Sequence, residues 1–437
     1  MNLAALVFGT FVLLIRQGGH PAWDTIWAED GRIFLPNALF HPVSSLFHSA
    51  PVRGCGPCRS PWHGGAELGY LQLPQQLIAD ATAKLPLADA ATGLAVAGAL
   101  VASGCALFVF HASSGHVRKP WLRALLAASV ILLPTAVIEI ANTDVNTSWY
   151  LLFTTFWLLL WRPRARAGMT VAFIIGFAAM TAQGLAVLYA PLVAMRVIAL
   201  PRLREHAAAA GWFTGLALQV GVSLGSGLPP VEGSLPDALN YYFHHVLVAA
   251  VTGWHLAQWW HTESGSGPLV VIAGCAVAAM AGWAIIRGGT RLRLFAVTAL
   301  VLGILLTVVP AMSRPWVTTS PVTNEWLPGS RYTAAPILLI TSLAIVIADT
   351  WLLSGGDRCW NIIHQLAAAA IIAVLAVTWT ADFRYVNLRT AGPDWPQAVS
   401  RFRDSCQQQA PSVMEPLFYW ANPPNKLPLP CWVARRQ

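Results

Sequence analysis

Charge is what this sequence has least of. Of 437 residues only 46 are Asp, Glu, Lys or Arg, 11% of the chain, about half the share usual in a soluble domain. With 56% hydrophobic residues and a mean hydropathy of +0.56, that shortage excludes a water-soluble globular enzyme. Lysine is nearly absent: Lys84, Lys119 and Lys426 stand against 24 arginines, a bias that reads as the codon usage of a GC-rich bacterium. The basic residues form no continuous face, so the net charge of +8 and pI near 9.4 do not describe a nucleic-acid partner. There is no Gly-rich phosphate loop with its Lys and no dinucleotide fingerprint. An activated donor would have to arrive on another carrier, and a lipid phosphate is the obvious one. Internal repeats and paired charges at span centres are lacking too, which argues against a lipid or solute transporter.

What the chain does have is apolar runs, at about residues 1–15, 88–111, 121–139, 147–161, 168–182, 184–200, 207–226, 268–286, 294–312, 332–353 and 362–380. The fifth and sixth are split at Thr181-Ala182-Gln183-Gly184, because about 30 charge-free residues exceed one straight span; a single long tilted helix is the competing reading. The short connections alternate in charge. Arg118, Lys119 and Arg123, then Arg162, Arg164 and Arg166, then Arg196, Arg202 and Arg204, then Arg287, Arg291 and Arg293 mark every second turn. The positive-inside rule puts those turns and the N-terminus in the cytoplasm and the C-terminus outside. The first run has no basic start and no small-residue cleavage site, so it is expected to be a retained helix rather than a signal peptide. The expected fold is an all-α polytopic membrane protein of about 11 transmembrane helices in the cell inner (plasma) membrane. A bundle spans residues 1–380, with a long first outer loop at 16–87, and an extracytoplasmic tail covers 381–437.

The outer segments collect most of the acidic residues and the cysteines that suit an oxidising exterior. Cys55 and Cys58 form a CxxC, Cys406 and Cys431 bracket the tail, and Cys55–Cys58 and Cys406–Cys431 disulfides are expected. A redox-active CxxC is the alternative for the first pair, without a thioredoxin-like pattern around it.

Three stretches carry candidate chemistry. In Trp27-Ala28-Glu29-Asp30-Gly31-Arg32, two adjacent carboxylates lie beside the membrane; partial burial would raise one while Arg32 keeps the other ionised, as a general base needs. A solvated acidic loop is the plain alternative. Glu139 ends an apolar span, where an ionisable residue is expensive unless paired or facing water. Asn142 and Asn146 share its face if helix persists, or else cap the next helix, which opens on Trp149. Arg331 and Tyr332 begin the tenth span on the side where the charge rule disfavours Arg, and a guanidinium there can fork onto a phosphate or simply snorkel. Between them Tyr241, Tyr242, Phe243, His244, His245, Trp254, His255, Trp259, Trp260 and His261 make an aromatic and histidine-rich outer segment, with most of the aromatics expected in an interfacial belt.

Trp27-Ala28-Glu29-Asp30-Gly31, Gly69-Tyr70-Leu71 with Pro74 and Leu77, Glu139 through Trp149-Tyr150-Leu151, and Arg331-Tyr332 with Pro336 resemble a glycosyltransferase of the C superfamily, and within it a group of actinobacterial multi-spanning membrane proteins. The resemblance covers roughly residues 20–340. It implies a polyprenyl-phosphate-linked sugar as donor, a glycan, lipid or protein of the cell envelope as acceptor, and no cofactor, though a divalent metal held by Glu29, Asp30 and Glu139 is compatible with it. It implies Asp30 first and Glu29 second as the base and Arg331 as the phosphate holder; Tyr70, from a matching stretch, and His244 and His245, from the histidine-rich segment, are further candidate substrate-binding residues. The sequence departs from the pattern where Gln183 stands in an outer turn expected to be acidic, where Gln75-Gln76 replaces an Arg, and in the insertion around Cys55 to Glu67. An O-antigen-type polymerase or ligase, whose chemistry rests on outer Arg and His residues, is the rival.

Overall fold

The computed structural model describes residues 2–42, 46, 71–200, 203–223, 232–264, 267–314, 329–353, 358–421 and 424–435. Cys55, Cys58, Glu67 and Tyr70 lie outside the described residues.

Helices dominate, and each apolar run of the sequence falls on helix. Six are long and apolar enough to cross a membrane: Leu87–Gly115, Pro120–Glu139, Gly267–Arg287, Thr290–Ser313, Arg331–Leu353 and Cys359–Ala381. Five shorter apolar helices, Asn2–Ile15, Thr147–Leu160, Arg166–Ala182, Gly184–Ala199 and Ala207–Val222, fall on the other runs. The chain is thus a multi-pass membrane protein by length and composition of its helices. Arg166–Ala182 does end at Gln183, whose extended backbone (φ −158°, ψ 120°) starts a new helical segment.

Small residues set how closely the helices approach. Gly176 and Gly211 sit where a Cβ would collide with the backbone oxygens of Ala208 and Phe173, so Arg166–Ala182 and Ala207–Ser223 touch backbone to backbone. The helix Arg331–Leu353 is buried along almost its whole length, with neighbours on every side. Its apolar circumference therefore reads as the centre of a bundle rather than a lipid-facing stripe.

The span Pro120–Glu139 is broken. Pro134 cannot continue the ladder and restricts the residue before it, so regular helix stops at Ile131 and resumes as the short Ala136–Glu139. The break frees carbonyls that Arg16 collects: its guanidinium donates to Ile131 O (2.6 Å), Leu133 O (3.0 Å), Asp382 O (3.1 Å) and Phe383 O (3.1 Å). Its side-chain hydrogen bonds among the described residues all go to these four backbone acceptors, which makes Arg16 a brace between the first helix, the broken span and the last one.

The segment after Ser234 corrects the belt expectation. Leu235–Tyr241, a widened helical turn at Tyr242–Leu247, and Val248–Thr252 run into the protein, burying Tyr241, Tyr242 and Trp254, while Phe243 and Trp259 stay exposed. The rings are buried by neighbouring helices, which composition cannot distinguish from burial by headgroups.

The tail is not all helix. After Trp395–Cys406 come an antiparallel hairpin, Met414–Ala421 with Pro424–Pro430, and the short helix Cys431–Ala434. Cys406 and Cys431 are joined as a disulfide. Trp395, Phe402, Leu417 and Leu429 form one apolar cluster with Ile26, Trp27, Leu35 and Leu94, and the Trp395 indole donates to Leu87 O (2.7 Å). The tail packs on the first loop, beside the acidic stretch.

Candidate functional site

Local backbone events bring the three candidate stretches together. Gly329 turns with φ 84°, a conformation that favours glycine, and delivers Ser330 and Arg331 to the first turn of their helix. The Tyr241 hydroxyl donates to Gly329 O (2.8 Å) and holds that turn. Glu139 reaches across: its Oε2 accepts from Ser330 Oγ (3.1 Å) and from the backbone N–H of Arg331 (3.0 Å). A carboxylate there satisfies an otherwise unbonded amide and sits favourably against the helix dipole.

The Arg331 side chain turns the other way. Nη1 donates to Glu29 Oε1 at 3.0 Å, and the two side chains are 10% and 19% exposed. The guanidinium also lies over the Tyr332 ring, 5.5 Å from its centroid. Tyr332 is held edge-on by Trp149 (5.2 Å), and its hydroxyl accepts from Arg314 Nη1 (2.7 Å). Glu29, Glu139 and Arg331, from three distant parts of the chain, therefore form one partly accessible cluster of opposite charges, with Arg314 and two aromatic rings around it. His245 stacks on Tyr241 at 4.3 Å, which puts the histidine-rich segment beside the same turn.

Asp30 does something different. It is 1% exposed, and its two oxygens accept the backbone N–H groups of Asp144 (3.0 Å) and Val145 (2.9 Å). Burial pushes its carboxyl up to about 7, against the lowering effect of those two amides and of Arg389; the charge of Glu29 adds to the rise. Asp144 is driven well above the usual carboxylate range, first by burial and then by Asp30. Neither Asp144 oxygen has a hydrogen-bond partner among the described residues. Asp30 is thus an acceptor clamped on backbone, while Glu29 is the carboxylate that meets a side-chain cation.

Asn142 and Asn146 follow neither expected arrangement. Asn142 adopts φ 60°, which an asparagine tolerates and which stops the helix, so it shares no helical face with Glu139. Its amide donates to Leu13 O (2.8 Å). Asn146 precedes the next helix but makes no side-chain cap; it donates to Glu139 O (2.8 Å) and Thr143 Oγ1 (3.0 Å). Both asparagines stiffen the loop that carries Glu139. Arg32, half-buried, makes no ion pair among the described residues, and Arg331 takes the place expected of it beside Glu29.

Sequence reasoning missed Arg389 and Arg314. Arg389 is buried and donates to Ala22 O (2.7 Å), Thr25 O (3.1 Å) and Asn142 O (2.7 Å), so the tail fastens the first loop to the Glu139 loop. Burial lowers it to about 10, with Asp30 opposing. Nothing in the surrounding Asp382-Phe383-Arg384-Tyr385-Val386-Asn387-Leu388-Arg389-Thr390 marks it out from Arg384. Arg314 did carry a signal, as the other outer basic residue next to a span. No group of three or more His, Cys, Asp or Glu suited to a metal occurs among the described residues. No protein-family model matches the chain, and no curated protein matches it.

Proposed function

We propose that this chain is an integral membrane glycosyltransferase that moves a sugar from a polyprenyl phosphate to a cell-envelope acceptor on the extracytoplasmic face. The observation that carries the reading is the Glu29–Arg331 pair beside Glu139: a base and a phosphate-binding cation at one end of the bundle, partly open, with aromatic rings suited to a sugar face. The acceptor oxygen attacks the anomeric carbon as its proton passes to a carboxylate. The bond to the phosphate oxygen breaks with inversion, and the charge released on polyprenyl phosphate is stabilised by Arg331. Glu29 takes precedence over Asp30 as the base, because both Asp30 oxygens already hold backbone amides. The eleven apolar helices act as spans, with the N-terminus in the cytoplasm and the tail outside.

The test is mass spectrometry of lipid-linked sugars and envelope glycans in a deletion strain complemented with Glu29→Gln or Arg331→Ala. Accumulated lipid-linked sugar and a missing glycan residue, restored only by the unmutated chain, support the reading. An unchanged glycan profile in the deletion strain sinks it. For the topology, Gln408→Cys, exposed on the tail, should react with an impermeant maleimide in intact cells; protection until lysis would overturn the orientation.

The stacking of His245 on Tyr241 beside the Arg331 turn favours one second reading, a polymerase or ligase that transfers a whole glycan and uses histidine as well as arginine. Its product would differ in chain length rather than by one sugar, and His245→Ala would reduce it.

A further inference from the structure

Glu29 and Arg331 pose a problem as a working pair. A nearby guanidinium favours the ionised carboxylate and so weakens it as a proton acceptor, while the carboxylate occupies the donor that a phosphate needs. We propose that Glu29 is a resident stand-in for the donor's phosphate: the lipid phosphate displaces it from Arg331, and the displacement releases Glu29 to act as the base. The inference rests on the glycosyltransferase reading and adds to it an order of events.

Four observations support it. Arg331 is under-used: one side-chain hydrogen bond, from Nη1 to Glu29, is its whole set among the described residues, and its buried Nε has no partner. A phosphate offers two oxygens to a guanidinium edge, where Glu29 engages one nitrogen, so the exchange replaces a single bond by a fork. The guanidinium cannot simply swing away, because the backbone N–H of Arg331 is fixed on Glu139 and its face lies on Tyr332. And Glu29 is the exchangeable acid: partly exposed, where its neighbour Asp30 is buried with both oxygens engaged. The charges acting on Glu29 include Arg331, Asp30 and Glu139. With a phosphate on Arg331, the cation is neutralised, while Asp30 and Glu139 keep their negative charge beside Glu29. Its proton affinity then rises at the moment the donor is in place, which ties proton abstraction to donor binding and keeps the site quiet without it.

The experiment measures binding of polyprenyl monophosphate, with uncharged polyprenol as the reference, to the full-length protein in nanodiscs. Glu29→Gln should bind the phosphate lipid about tenfold more tightly than the unmutated chain while losing transfer. Arg331→Gln should bind it no better than polyprenol, alone or combined with Glu29→Gln. Unchanged or weaker binding by Glu29→Gln, with the Arg331→Gln loss intact, overturns the displacement and leaves the glycosyltransferase reading standing. No preference of the unmutated chain for phosphate over polyprenol overturns both. Should Glu29→Gln fail to fold, carbodiimide labelling of the unmutated protein decides the point: adding polyprenyl monophosphate should increase modification of Glu29, and unchanged or reduced modification refutes its release.

Discussion

The two ends of the helix Arg331–Leu353 treat buried charge in opposite ways. At Asp349, about 27 Å along the axis from Arg331 by the helical rise, one carboxylate accepts the backbone N–H groups of Arg118 (2.9 Å) and Lys119 (3.0 Å). At Arg331, the guanidinium meets the Glu29 carboxylate and the backbone N–H meets Glu139, both from elsewhere in the chain, and the Arg331–Glu29 pair remains partly open. The Asp349 arrangement recurs at Asp30, on the amides of Asp144 and Val145, and at Asp382, on those of Trp254 (2.5 Å) and His255 (2.9 Å). Three buried aspartates thus each clamp two consecutive amides. A carboxylate with both oxygens on fixed backbone donors has no low-energy way to leave, so it holds loops; one that is partly exposed and meets one nitrogen of a guanidinium can give up that nitrogen to another anion. The comparison separates Asp30 from Glu29, adjacent in sequence and unlike in role.

The largest expected effect tests that separation on transfer. Glu29→Gln and Arg331→Ala should each lower the rate by about 10²- to 10⁴-fold, while Asp349→Asn, at the other end, should leave transfer per folded molecule near normal. Equal losses at both ends would show that the helix matters only as a scaffold. Next come the clamps themselves. Asp30→Ala and Asp349→Ala each strand two buried amides and should cost about 2–4 kcal/mol of stability, read as a lower thermal midpoint in detergent. Asp30→Asn is the sharper case: transfer within about threefold of normal per folded molecule marks a clamp, whereas abolished transfer with an intact fold would make Asp30 the base after all.

The smallest effect is in pH. Asp30 rises from 3.8 to about 7 on folding, so the folded chain holds a proton that the unfolded chain has lost across that interval. Its contribution is complete below about pH 4 and disappears as pH climbs through 7, and Asp144 acts in the same direction. Unfolding midpoints at pH 5 and pH 8 should therefore differ more in the unmutated chain than in Asp30→Asn. The same slope in both would remove Asp30 as its source.

Much of the architecture was legible because it is local. Apolar runs of span length located the apolar helices from Ala90–Ala112 onward to within about four residues, apart from the break after Ile131, and Gln183 separates two of them; the helices between Leu235 and Ser264 and in the tail carry no such run. The Leu133-Pro134 break was present as a proline, though not what it would expose, since the carbonyls it frees matter only because Arg16 is there to take them. The hairpin at Met414–Ala421 left little pattern, because prolines in both strands obscure the alternation of a half-buried strand. The site was legible as a set of residues and not as a set of roles: Glu29, Asp30, Glu139 and Arg331 all stood out as charges in apolar surroundings, but nothing in Glu29-Asp30 says which one faces Arg331.

Composition and periodicity by themselves determined an all-helical membrane bundle and where its apolar helices lie, because hydration cost acts on each segment separately. Tertiary structure alone decided which charges meet. Whether a carboxylate becomes a clamp, a cap or an exchangeable partner depends on donors 114 to 302 residues away in the chain, and that choice rests on how closely helices with glycine-sized contacts pack and on where Arg16 and Arg389 draw the loops together.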